Sequence, residues 1–165
     1  MKEPSAEADT GLAEIRTQLK EYARKDVFRK LKEEATNTNS QTAFSFYWLS
    51  RDNRIRLIYD SAAQNLEFED LFQDIPAHVE QYVEEFVRQR QTHEGIPDHK
   101  KIDSEKAKLE YRKGKGNGSI ALQVKQIGAH AYCVKKLVNL TNELFFKLQM
   151  RHGGYMHSAF GGLDE

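Results

Sequence analysis

Cys133 and His130 stand three residues apart where an amphipathic stretch begins. Amides at a helix N-terminus lower a thiol's pKa, and a nearby imidazole can take its proton. Both residues fall on the apolar stripe of that stretch, where a lone Cys is ordinarily an inert small hydrophobe. The other histidines are His78, His93, His99, His152 and His157. Neither the His93/His99 nor the His152/His157 spacing comes with a Cys pair or an HExxH run, so no metal site follows. Gly114 to Ser119 reads Gly-Lys-Gly-Asn-Gly-Ser, and amides in such a turn can cradle an anion. A phosphate loop opens a helix, whereas this segment opens a strand and reads as a hairpin tip. Glu84 and Glu85 are adjacent and diverge by about 100° on a helix, so they form no acid/base pair. Asp52 and Asp60 only bracket a strand. The sequence therefore assigns no catalytic residue, no cofactor and no metal.

Residues suited to binding are easier to find. On a helical wheel, Cys133, Val134, Leu137, Leu140, Thr141, Leu144 and Leu148 share one face of the last helix. Tyr132, Phe146 and Met150 lie on the far side, among Lys135, Asn139 and Asn142. A helix apolar on two faces has two neighbours. The second neighbour is either a partner or the chain's own end, where Tyr155, Met156 and Phe160 follow Gly153-Gly154. A second candidate surface comes from strand alternation, which sets Tyr47, Arg54, Arg56 and Arg112 opposite the core with Lys108, Gln123 and Lys125. That face would be open, basic and partly aromatic, and a one-residue slip in register would invert it. Long charged side chains that merely cover a solvated face would give the same pattern.

These residues need elements to hold them. Asp9 or Thr10 can cap a first helix running to about Glu34, with Leu12, Ile15, Leu19, Tyr22, Ala23 and Val27 on one stripe. Phe28 falls off that stripe, which points to a bend near Asp26 or a second surface. Residues 35–41 have loop composition. Phe44, Phe46 and Trp48 alternate with Ser45 and Tyr47, and Ile55, Leu57 and Tyr59 alternate with Arg54 and Arg56. The two runs make a hairpin through Arg51-Asp52-Asn53, with Asn53 the candidate for positive φ. Leu66 to Phe68 reads as a brief strand or a lead into a helix restarted at Pro76. Val79, Tyr82, Val83, Phe86 and Val87 form that helix's stripe, and Gly95 is its expected stop. A second hairpin pairs the run around Leu109 and Tyr111 with Ile120, Leu122 and Val124 through Asn117-Gly118. The last helix spans about 129–150.

The expected fold is α+β, in the order α-ββ-α-ββ-α. It has one antiparallel sheet of about four strands, five if Leu66 to Phe68 forms one, covered on one face by helices. Residues 1–9 read as a flexible N-terminus, 10–152 as one domain and 153–165 as a tail. In element order alone the chain resembles small dimeric secretion-chaperone-like folds and roadblock-type platforms.

Bulk composition narrows the classes. The chain has 165 residues, 39 % of them hydrophobic, against the usual ~45–50 %, and one Trp, seven Tyr and nine Phe that need burial. The 25 basic and 25 acidic side chains cancel, which argues against a dedicated nucleic-acid binder. The cancellation hides segregation: residues 67–85 hold acids without a base, and residues 100–115 are mostly basic. A single Cys fits a reducing compartment. No apolar run approaches the ~20 residues of a membrane span, and no signal peptide is legible. The expected location is cytoplasmic. Three functional classes stay open. The leading one is a non-enzymatic protein-interaction module, adaptor or chaperone-like and homodimeric, binding another protein or a second copy. The others are nucleic-acid or phosphate-ligand binding on the basic sheet face, and a small-ligand or enzyme pocket of unidentified residues.

Overall fold

The first helix stops ten residues before the apolar spacing suggests. In the computed structural model, which describes residues 6–34, 36, 38–48, 54–92, 97 and 101–160, α1 spans Ala6–Arg24. Asp26 adopts φ 63°. Its N–H reaches the Ala23 carbonyl at 3.1 Å, and the Val27 N–H reaches Tyr22 at 2.9 Å. This pair of bonds around a left-handed residue closes a helix end in the Schellman manner. The chain then enters β1, Phe28–Glu34, and Phe28 stacks on Phe46 with ring centroids 3.9 Å apart. The residue that fitted no helical stripe is a core residue of an edge strand.

β2 (Gln41–Trp48) and β3 (Arg54–Asp60) form the first expected hairpin, with Phe44 opposite Leu57 and Phe46 opposite Ile55. Its turn, with Asn53, lies outside the described residues. The run around Phe68 is a full strand, β4 (Asn65–Phe72), followed by α2 (Ala77–Thr92), in which Pro76 accepts the first helical bond from Glu80 at 2.9 Å. Gly95 and the segment 98–100 fall outside the description.

β5 (Ala107–Lys113) and β6 (Gly118–Val124) make the second hairpin. The turn sits earlier than the Asn-Gly pair suggests. Gly114 N–H donates to Asn117 O at 2.7 Å, and the positive φ of 76° belongs to Gly116. Gly118 is already in the ladder, opposite Lys113. The tip is tied to the β4–α2 connection, where Gly116 O and the Asn117 side chain accept from the Ile75 and Asp74 N–H groups.

The last two described elements are α3 (His130–Arg151) and α4 (Gly153–Phe160). Part of the expected tail is thus helical, with Met156 and Phe160 fully buried. Residues 6–9, expected to be frayed, belong to α1.

The result is α+β with one antiparallel sheet, as expected, but with six strands in the order β1-β2-β3-β4-β6-β5. The strand count was low because β1 and β4 lack clean alternation. β1 changes register between Arg29 and Lys32, where Lys30 has φ 55°. β4 does so between Phe68 and Phe72, where Asp70 has φ 47°. Bulges of this kind disrupt the period-2 signal. Buried Ser119 bridges the second break, its Oγ accepting from the Asp70 N–H at 2.9 Å. Phe44, Phe46, Trp48, Ile55, Leu57, Ile120, Leu122 and Val124 are all buried, as alternation required. All four helices meet this face: α1 through Arg16 on Glu33, α2 through Glu80 on Tyr111, α3 through Phe145 on Trp48, and α4 through Phe160 on Phe72. No described helix is long and apolar enough to cross a membrane.

Candidate interaction surfaces

α3 is buried on one side by design of its sequence. Cys133, Val134, Leu137, Leu140, Thr141, Leu144 and Leu148 are all in the core, joined by His130, Val138 and Phe145. Burial pushes the Cys133 thiol up to about 12. A neutral, fully enclosed thiol is a packing group, not a nucleophile.

The opposite side of α3 is exposed at its C-terminal end. Phe146 is 66 % exposed and Met150 73 %; the third exposed large hydrophobic among the described residues is Ile127. Phe146 and Met150 are one turn apart and so adjoin on the helix surface. α4 does not cover them. Its Phe160 packs on Phe145 at 4.8 Å and on Phe72 at 6.0 Å, and Met156 is enclosed in the core. Tyr132, the third residue of the expected patch, is half-buried and engaged within the chain. Its oxygen accepts the Asp103 N–H at 2.9 Å, and Lys106 and Lys136 lie over its ring. The segment before β5 thus covers the N-terminal end of the stripe, and the open part is Phe146 and Met150.

The outer sheet face carries the predicted residues Tyr47, Arg54, Arg56 and Arg112, yet it is not a basic surface. β4 enters the sheet between the hairpins and places Glu67 and Glu69 among the arginines. Arg56 pairs with Glu69 at 3.0 Å, Arg54 with Glu34 at 3.1 Å, and Arg112 with both Glu67 and Glu110. Those carboxylates hold the Arg112 guanidinium above its usual value despite partial burial. Tyr47 lies under Arg29 and Lys30, at 5.5 and 5.7 Å from its ring centre. Two shallow hollows of about 300 Å³ and 290 Å³ flank this lattice, the first lined by Ile58, Asp60, Glu67 and Arg112, the second by Ser45, Arg54, Arg56 and Glu69. Their walls mix neutral side chains such as Gln41, Asn65 and Gln73 with arginines and glutamates that pair across the sheet. Among the described residues no group of three His, Cys, Asp or Glu could hold a metal.

Two buried polar features escaped the sequence reading. Arg90, on α2, is 4 % exposed and forms an ion pair with Glu143 of α3, beneath which Phe86 lies 4.6 Å away. Its place at the end of the series Val79, Val83, Phe86, Val87 was the available signal: a helical stripe does not end because the next residue is charged. The second is a cluster around His130, whose ring nitrogen Nε2 lies 2.9 Å from Gln64 Oε1 and 3.2 Å from the Tyr59 hydroxyl. Those partners come from more than sixty residues away, and no local signal announces them.

No family model, no curated protein and no solved structure matches the chain. The two resemblances in element order gain no support from that side, and function must be read from the surfaces themselves.

Proposed function

We propose that the chain is a protein-interaction module of adaptor or chaperone-like type, and that the exposed end of α3 docks a second copy of the chain. The observation that carries this is the exposure of Phe146 and Met150 beside a core that encloses nearly every other large apolar side chain. Exposed apolar patches mark interaction sites. The occupant follows from symmetry. A two-fold axis near position 148 of two antiparallel α3 helices sets Phe146 against the partner's Met150 and Met150 against the partner's Phe146, a self-complementary contact. Gly154, next along the chain, is open, since a Cβ there would meet nothing within 4 Å. Sulfur against an aromatic ring adds about 0.3–1.5 kcal/mol per contact.

A contact centred on four side chains is small, so the association is reversible and sensitive to single truncations. Phe146→Ala and Met150→Ala are each expected to weaken self-association at least about tenfold, with no change in melting temperature. Sedimentation equilibrium measures both dissociation constants. Wild-type affinity in either variant would refute the placement. Lys135, Lys147 and Arg151 give each α3 surface a positive balance, and Glu143 is taken up by Arg90. Two copies therefore repel at long range, and added salt should tighten the dimer by screening. The nucleic-acid reading has less support, because each arginine it needs is already matched to a carboxylate.

A further inference from the structure

The chain has three Met and one Cys. Met1 lies outside the described residues, and the other three sulfurs differ in access. Cys133 and Met156 are both 0 % exposed, whereas Met150 is 73 % exposed. Burial also pushes the Cys133 thiol up to about 12, so the thiolate, the form that oxidants attack, is scarce. A thioether has no proton to lose, and its reaction with a peroxide follows access to the sulfur. Met150 is therefore the one open sulfur among the described residues. It stands one turn from exposed Phe146 on the same side of α3. An oxygen added to that sulfur lands inside the exposed apolar patch.

We propose that Met150 is an oxidation site for peroxides, and that its sulfoxide releases the docked copy. The release rests on the docking reading above; the selectivity of the site does not. The sulfur lone pair attacks one oxygen of hydrogen peroxide, and the O–O bond breaks. That oxygen stays on sulfur as S=O, its hydrogen passes to the other oxygen, and water leaves. The sulfur gives up two electrons and the peroxide takes them. A flexible apolar side chain becomes a polar, chiral one. Against the partner's Phe146 the sulfoxide oxygen would lose water and gain no N–H or O–H in return. Burying an unmatched acceptor opposes docking. The two-fold contact carries this cost twice, because each copy sets its Met150 against the other's Phe146. Docking and oxidation thus exclude one another: the docked ring covers the sulfur, and the oxidised sulfur rejects the ring.

Hydrogen peroxide treatment of the intact chain, followed by trypsin digestion and mass spectrometry, tests the site. Cleavage after Lys147 and after Arg151 puts Met150 and Met156 on separate peptides. In dilute chain Met150 should gain its oxygen at least about tenfold faster than Met156, with Cys133 still a free thiol. Sedimentation equilibrium of the treated chain should then show self-association weakened at least about tenfold. Met150→Leu keeps an apolar side chain of similar volume and retains Met1 and Met156. It should dock before treatment and be unchanged by it. Equal oxidation of Met150 and Met156, undiminished docking of the oxidised chain, or an equal loss in treated Met150→Leu would each overturn the proposal. A chain monomeric before any peroxide is a failure of the docking reading and overturns the release with it. A chain that docks equally before and after oxidation overturns the release alone.

Discussion

Glu143→Ala should lower the stability of the chain by about 3 kcal/mol, read as a drop in the urea midpoint at unchanged slope. The reason is what the substitution leaves behind. The Arg90 side chain is 5 % exposed and Glu143 21 %, and the two join α2 to α3. Burial already pushes the Arg90 guanidinium down from its usual value, and without the carboxylate an uncompensated cation would sit over Phe86. Removing the cation instead should cost far less. Arg90→Met keeps volume on an apolar stripe and leaves only the more exposed Glu143, so a change within about 1 kcal/mol is expected. Equal losses in the two variants would mean that the pair contributes by mutual attraction rather than by cancelling a desolvation penalty.

Gly118→Ala should cost about 2–3 kcal/mol, although the new methyl is small and the backbone there is ordinary strand. Its Cβ would lie 1.8 Å from the Tyr111 hydroxyl and 2.5 Å from the ring carbon bearing it. Tyr111 cannot yield freely, because its hydroxyl donates to Glu80 of α2 at 2.7 Å. Burial and the nearby Glu80 both raise the phenol well above its usual range, so it remains a donor at any physiological pH. The glycine is required for space and not for positive φ. Adding Tyr111→Leu to Gly118→Ala should therefore recover much of the loss, a coupling that a thermal-melt double-mutant cycle measures. Additive losses would place the strain elsewhere.

Much of the fold was legible because strands and helices print different periods. Phe44-Ser45-Phe46-Tyr47-Trp48 alternates without interruption, and the three aromatic residues that alternation turns inward are buried, although Ser45 on the other face is buried as well. β1 was hidden because Phe28-Arg-Lys-Leu-Lys-Glu-Glu is built from good helix formers. Its strand state comes from pairing with β2, forty-eight against twenty-eight at one end, and local propensity yields to that tertiary contact. The bend expected near Asp26 and the misfit of Phe28 were the only traces. For β4 the alternation of Leu66 and Phe68 with Glu67 and Glu69 was present, but the bulge at Asp70 cut it short.

That missed strand changed the reading of the surface more than the reading of the fold. Acids segregated in sequence from arginines become interleaved with them in space, since β4 lies between β3 and β6. Charge patterning along a chain says little about a sheet face until strand order is known. The α3 stripe fared better because helical spacing is local: Phe146 and Met150 were visible as a second apolar face, and both are exposed. Tyr132 obeys the same spacing but is engaged by Asp103 and Lys106, which the helix wheel cannot show.

The molar mass in solution tests the central proposal most directly, by light scattering across a concentration series of the intact chain and of Phe146→Glu with Met150→Lys. The docking reading predicts that the wild type rises from 19.1 kDa toward twice that mass, while the folded double variant stays at the monomer mass throughout. A wild type that remains at 19.1 kDa at every concentration, or a double variant that still dimerises, would contradict it.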